Sequence, residues 1–155
     1  MCIRDSVDPA AVAACRAAGL GTEVCVSLGG KLDSIHGSPL PVKGRVVHLA
    51  PPGLRGGDQA VLQIGGVQVI ITERRKSFLR VDDFRQVGID PLAHKIIVVK
   101  MGYLVPDLQR VAPRALLALS PGVVDQAIER LPYRRIQRPI YPLDPDMEWQ
   151  APGFS

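Results

Sequence analysis

Gly65-Gly66 lies between two apolar runs of strand length, Ala60 to Ile64 and Val67 to Thr72. Adjacent glycines can take the positive φ angles of the two-residue turns whose twist matches that of paired strands, so the segment predicts a β-hairpin. Upstream, Glu23-Val-Cys-Val-Ser-Leu28 alternates polar and apolar residues, as a half-buried strand does, and stops at Gly29-Gly30. Leu40 to Leu49 reads as a further strand, with Val42, Val46 and Leu49 apolar and Lys43, Arg45 and His48 at exposed or edge positions. Ala50 to Gly57 is a loop by its proline and glycine content. Ahead of the strands, Asp8 can cap a short helix whose first position suits Pro9. Ala10 to Ala18 are strong helix formers, and Gly19 supplies a left-handed stop.

The pattern changes after residue 76. Val81 to Val87 reads as a short helix ended by Gly88. Lys95-Ile-Ile-Val-Val-Lys100 is a β-branched run without alternation, which predicts a strand buried on both faces, as in parallel sheets flanked by helices. Leu104 to Ala112 reads as a helix, Ala115 to Leu119 as a second buried strand and Val123 to Leu131 as a helix. The segment from Pro132 to Pro145 is predicted to run extended, partly as polyproline II. The expected fold class is mixed α/β (α+β): antiparallel β hairpins packed with a small α/β unit containing a buried strand. The β-rich part covers 20–72, the α/β part 77–131 and the proline-rich tail 132–146. They are expected to form one domain, 7–146, because neither part has obvious room for its own core. Residues 147–155 are expected to be a disordered tail. Met1 to Ser6 shows neither periodicity and resembles the artefactual leader often translated at the start of assembled environmental reads. It is set aside, and Cys2 with it.

A chain of 155 residues can bury one core, and a hydrophobic fraction of 46% argues against disorder. No apolar run approaches the roughly 18 residues of a membrane helix. The 19 basic and 15 acidic residues, net +4, are mixed along the chain, whereas a nucleic-acid binder concentrates Lys and Arg on one face or in one run. Nucleic acid and membrane are therefore not expected as partners. Three cysteines without CxxC spacing make a poor disulfide framework and a poor zinc site. With no apolar leader region, the expected compartment is the cytoplasm.

His36, His48 and His94 fall in a loop, on an edge strand and in a turn, with no HExxH or HxH, so no metal ligand is assigned. Asp82 and Asp83 point about 100 degrees apart on a helix and suit capping better than paired acid–base work. No Gly-x-Ser-x-Gly elbow, P-loop or dinucleotide fingerprint is present, and no catalytic residue is assigned. Three residues remain as substrate-binding candidates. Lys31 follows Gly29-Gly30, where bare backbone lets a ligand come close and an ammonium can meet an anion. Lys100 ends a predicted strand of the α/β part, where such sheets bind ligands, and Tyr103 adds a hydroxyl beside it.

The ordered set Gly88-Ile-Asp-Pro91, Lys95 to Lys100, and Leu131-Pro-Tyr133 through Leu143-Asp144 resembles the C-terminal domain of the MlrC-like (microcystinase C) metallopeptidase family. Asp8-Pro9, Leu28-Gly-Gly-Lys31, Pro39-Leu40, Ile64-Gly-Gly66 and Pro121-Gly122 extend the resemblance over nearly the whole chain. It implies a zinc-dependent hydrolase of small linear peptides or related amides. Its Asp and His zinc ligands would lie in a larger N-terminal domain, absent from these residues. The chain itself would then be a C-terminal fragment that binds no zinc and is not catalytic. Its partners would be that N-terminal domain, a small peptide and, as a homo-oligomer, further copies of the chain. Many members carry a Ser and a nearby His-Phe after the Val-Val-Lys strand. Met101-Gly-Tyr-Leu-Val-Pro106 stands there in this chain, which implies a different substrate. The alternative is a stand-alone ligand-binding or scaffold module without catalysis.

Overall fold

The computed structural model describes residues 2–31, 35, 37–120 and 125–150, with only the backbone described for 2–6. The chain divides into two compact units, Met1–Leu117 and Ala118–Ser155. The first holds strands β1 (Cys2–Val7), β2 (Glu23–Leu28), β3 (Leu40–Leu49), β4 (Gln59–Ile64), β5 (Val67–Thr72) and β6 (Ile97–Val98). Helices α1 (Pro9–Ala18), α2 (Val81–Arg85) and α3 (Pro106–Val111) belong to the same unit. The strands make one sheet in the order β2-β3-β4-β5-β1-β6. β2 to β5 are antiparallel neighbours, and β1 runs parallel to both β5 and β6. The fold is thus mixed α/β, built on a four-strand antiparallel meander.

The helix and meander follow the sequence closely. Asp8 caps α1 by accepting the Ala11 N–H at 3.1 Å, Pro9 opens the helix, and Gly19 closes it at φ +83° with its N–H on the Cys15 carbonyl. Gly65 turns the β4–β5 hairpin at φ +55°, and Ile64 stands opposite Val67. α1 lies over β2 to β5, burying Ala11, Val12 and Cys15 against Val46, Ala60, Leu62 and Ile71. The other face of the same strands presents Val61 and Ile70 to Phe78, Phe84, Val87, Ile89 and Leu108. β4 and β5 are therefore the sheet's covered centre, which explains why their runs are apolar on both faces. α2 is fixed by carboxylates. Asp83 accepts the backbone N–H groups of Leu79 and Arg80 at 3.0 and 2.9 Å, and Asp107 of α3 accepts that of Val81 at 2.9 Å.

Three expectations need correction. Lys95 to Lys100 is not buried on both faces. Only Ile97–Val98 pairs, as the sheet's outermost strand, with Ile97 half-buried and Val98 exposed. Ala115 to Leu119 forms no strand, and its leucines are exposed, with no strand among the described residues to supply a ladder. Of the helix read over 123–131, only the single 3-10 turn Ile128–Arg130 forms among the described residues. Cys2–Val7, which shows no strand pattern, is paired backbone between β5 and β6. Among the described residues, no helix is long and apolar enough to cross a membrane.

Candidate functional site

The carboxyl ends of the parallel strands β5 and β1 share one edge of the sheet, Val7 beside Thr72, while β6 ends level with Ile3, short of that edge. In α/β sheets that edge is where ligands are commonly received, since loops diverge there and leave a crevice. β5 ends at Thr72, whose carbonyl accepts the Asp8 N–H at 2.9 Å, so Asp8 is tied directly beyond β1. Its carboxylate is buried, and each oxygen has a role. One caps α1, and the other accepts the Lys31 ammonium at 2.6 Å. Lys31 reaches inward because Gly29 and Gly30 both take positive φ, +69° and +63°. A Cβ on Gly30 would stand 2.4 Å from the Ser38 carbonyl carbon, a clash with backbone that only glycine avoids. The Lys31 side chain keeps 39% of its surface exposed, so its ammonium faces the carboxylate on one side and solvent on the other.

Lys100 follows β6 by two residues and is exposed, as is Tyr103 in the bend beyond it. Neither pairs with another described residue. Lys31, through Asp8, sits just beyond the end of β1, whereas Lys100 follows β6, whose Val98 is level with Ile3 near the start of β1. Sequence reading gave Asp8 only its capping role. The ion pair joins residues 23 apart, and no local pattern marks it.

A second buried polar group, also unmarked in the sequence, is Lys76. It is only 4% exposed, and its ammonium lies 4.8 Å from the centre of the Phe78 ring and 3.4 Å from the Gln86 side-chain oxygen. Burial pushes the amine's pKa down, Asp83 opposes that shift and Arg55 adds to it. Cys15, wholly buried, has its thiol pushed up by burial and then by the Asp8 charge.

His94 bridges two segments. Its Nδ1 lies 2.7 Å from the Asp90 carbonyl oxygen and its Nε2 2.9 Å from the Gln68 side-chain oxygen, tying the segment before β6 to β5. His48 packs against Gly88, where a Cβ would stand 2.6 Å from Nδ1. His36 lies outside the described residues. No group of three or more His, Cys, Asp or Glu among the described residues could hold a metal ion.

In the second unit a clamp joins residues 138 to 144. The Arg138 guanidinium takes both oxygens of Asp144, Nε at 2.5 Å and Nη2 on the other, while the Ile140 N–H donates to the same carboxylate at 2.7 Å. Arg138 therefore pairs within its own unit. A cavity of about 320 Å³ lies between Glu129, Tyr133, Arg138 and Leu143. The Arg138 hydrogen bonds, and then the Ile140 N–H, lower the Asp144 pKa from 3.8 to about 2. A depressed carboxylate stabilises the folded form fully above its unfolded pKa and loses that contribution as pH falls through the folded value. The loop 138–144 should accordingly hold from neutrality to below pH 4 and open towards pH 2. Carboxyl-carbon NMR titration of Asp144 checks this. A midpoint at 3.8 or above would mean that the clamp is absent in solution.

The family described as MlrC C-terminus matches residues 2–135, which includes β1. Microcystinase C of Sphingomonas sp is 32% identical over 107 residues, an alignment covering 64% of this chain and 21% of that protein. The crystal structure of a protein from Mesorhizobium sp. BNC1 assigned as a metallopeptidase superposes with a TM-score of 0.73 at 23% identity, over 97% of this chain and 32% of that one. The chain therefore spans about a fifth of one relative and a third of the other, and that superposition bears on fold alone. Since the family match takes in all six strands and all three helices, the chain belongs to the MlrC C-terminus family.

Proposed function

We propose that this chain is the C-terminal domain of a zinc metallopeptidase or related amidohydrolase acting on small linear peptides or related amides. The observation that carries the reading is the family match over residues 2–135. No described residues fit a metal centre, so the zinc and its ligands belong to an N-terminal domain of the same polypeptide. The role of this domain is to supply cationic and hydroxyl groups from the strand-end edge. Lys100 and Tyr103, exposed and unpaired, meet the carboxylate or carbonyl of a bound peptide. Lys31, oriented by Asp8, adds positive charge beyond the end of β1.

The test uses the intact polypeptide with a short linear peptide. Lys100→Ala is expected to raise KM about tenfold with kcat little changed, since one charge-assisted hydrogen bond contributes about 1.5–3 kcal/mol. Amidating the peptide's C-terminus should erase the difference between variant and parent. An unchanged KM in both Lys100→Ala and Tyr103→Phe would remove these side chains from the site. Absence of peptide hydrolysis by the intact polypeptide would favour the non-enzymatic scaffold module.

A further inference from the structure

Residues 95–100 carry apolar side chains on both faces of a strand, yet only one face is covered. Ile97 and Val99 pack against the core that contains Ile70 and Phe84. Ile96 and Val98 point the other way and are 55% and 41% exposed. The register shows which face they occupy. Val98 pairs with Ile3 and Ile3 with Val69, and Val69 packs into the core beneath α1. Val98 therefore continues the α1-side apolar row two strands beyond Val69. α1 lies over β2 to β5 and leaves this end of the face open. β6 is also the sheet's last strand, and no strand among the described residues pairs with its outer side.

We infer that the α1-side face of the β6 edge, centred on Ile96 and Val98, is the docking surface for the N-terminal domain of the same polypeptide. This rests on the reading that such a domain exists. The relatives bring the necessary length, since 79% of microcystinase C and 68% of the Mesorhizobium chain lie outside the matched region (the complements of the 21% and 32% covered). A second copy is a poor complement. Antiparallel pairing of two β6 strands keeps like faces together, so centred on Val98 it sets Lys100 opposite Ile96, and centred on Ile97 it sets Lys95 opposite Val99; either register holds an ammonium against an apolar side chain. The complementary segment is therefore apolar where it meets Ile96 and Val98.

Hydrogen–deuterium exchange of the intact polypeptide, compared with the 155-residue chain alone, tests this without reference to hydrolysis. Amides 95–100 should exchange at least tenfold more slowly in the intact protein. Val98→Asp, and separately Ile96→Asp, should abolish that difference and leave the β4–β5 amides as protected as before. Equal exchange of 95–100 in the two proteins would overturn the proposal. So would protection that grows with the concentration of the 155-residue chain, which would assign the face to a second copy, or a reading frame that encodes no upstream domain. Retained protection alongside absent hydrolysis would instead spare the docking surface and sink the enzymatic reading.

Discussion

Phe84→Ala is expected to destabilise the 1–117 unit by about 3–5 kcal/mol, the range for emptying a large aromatic site in a packed core. Phe84 is wholly buried on α2, and its ring meets Phe78 with centroids 5.1 Å apart at 53°. The surroundings cannot collapse readily into the space. Val61 and Ile70 belong to the central strands, held on both sides by neighbours, and α2 is anchored by the Asp83 and Asp107 carboxylates. Urea unfolding followed by far-ultraviolet circular dichroism reads the effect as a lower midpoint at unchanged slope. A loss below about 1 kcal/mol would show that the site relaxes. Because Lys76 lies against Phe78, the deletion should also admit water to its ammonium.

Asp8→Ala is expected to cost about 2–3 kcal/mol. The missing helix cap accounts for about 1 kcal/mol. The remainder comes from the hydrogen bond to Lys31, taken near the low end of its range because the freed ammonium is part-exposed and can rehydrate. Asp8→Asn keeps an acceptor for the Ala11 N–H and should cost less. Lys31→Met should be harmful out of proportion to its exposure, since it leaves a buried carboxylate without its cation. A double-mutant cycle on the pair isolates the coupling. A coupling energy near zero would mean that Lys31 does not sit on Asp8 in solution.

The local elements were readable because their signals are local. The cap, the opening proline and the closing glycine of α1 lie within a dozen residues, and Gly65-Gly66 sets the hairpin register by itself. What escaped depends on residues distant in the chain. A β-branched run reads the same whether a second layer covers it or not, so Lys95 to Lys100 could not reveal that its outer face stands open. Ala115 to Leu119 has strand-like composition, but a strand exists only where a partner offers a ladder. Cys2–Val7 carries no alternation, and its pairing partners are more than sixty residues away. Lys31 and Lys100 stood out singly. Where each falls depends on the register of β1 with β5 and β6, which no short window contains.

The position of β1 bears on the order in which this chain can assemble during synthesis. Of the strands in this sheet it leaves the ribosome first, yet both of its neighbours, β5 and β6, come much later. The meander β2–β5 closes through sequential turns and can form as it emerges, whereas β1 must wait until about residue 72 is out to find one partner and residue 98 to find the other. Such long-range closure is slow relative to hairpin formation. During that interval the meander's β5 margin stands unpaired, and the last-made strand has nowhere to attach until the first-made one is in place.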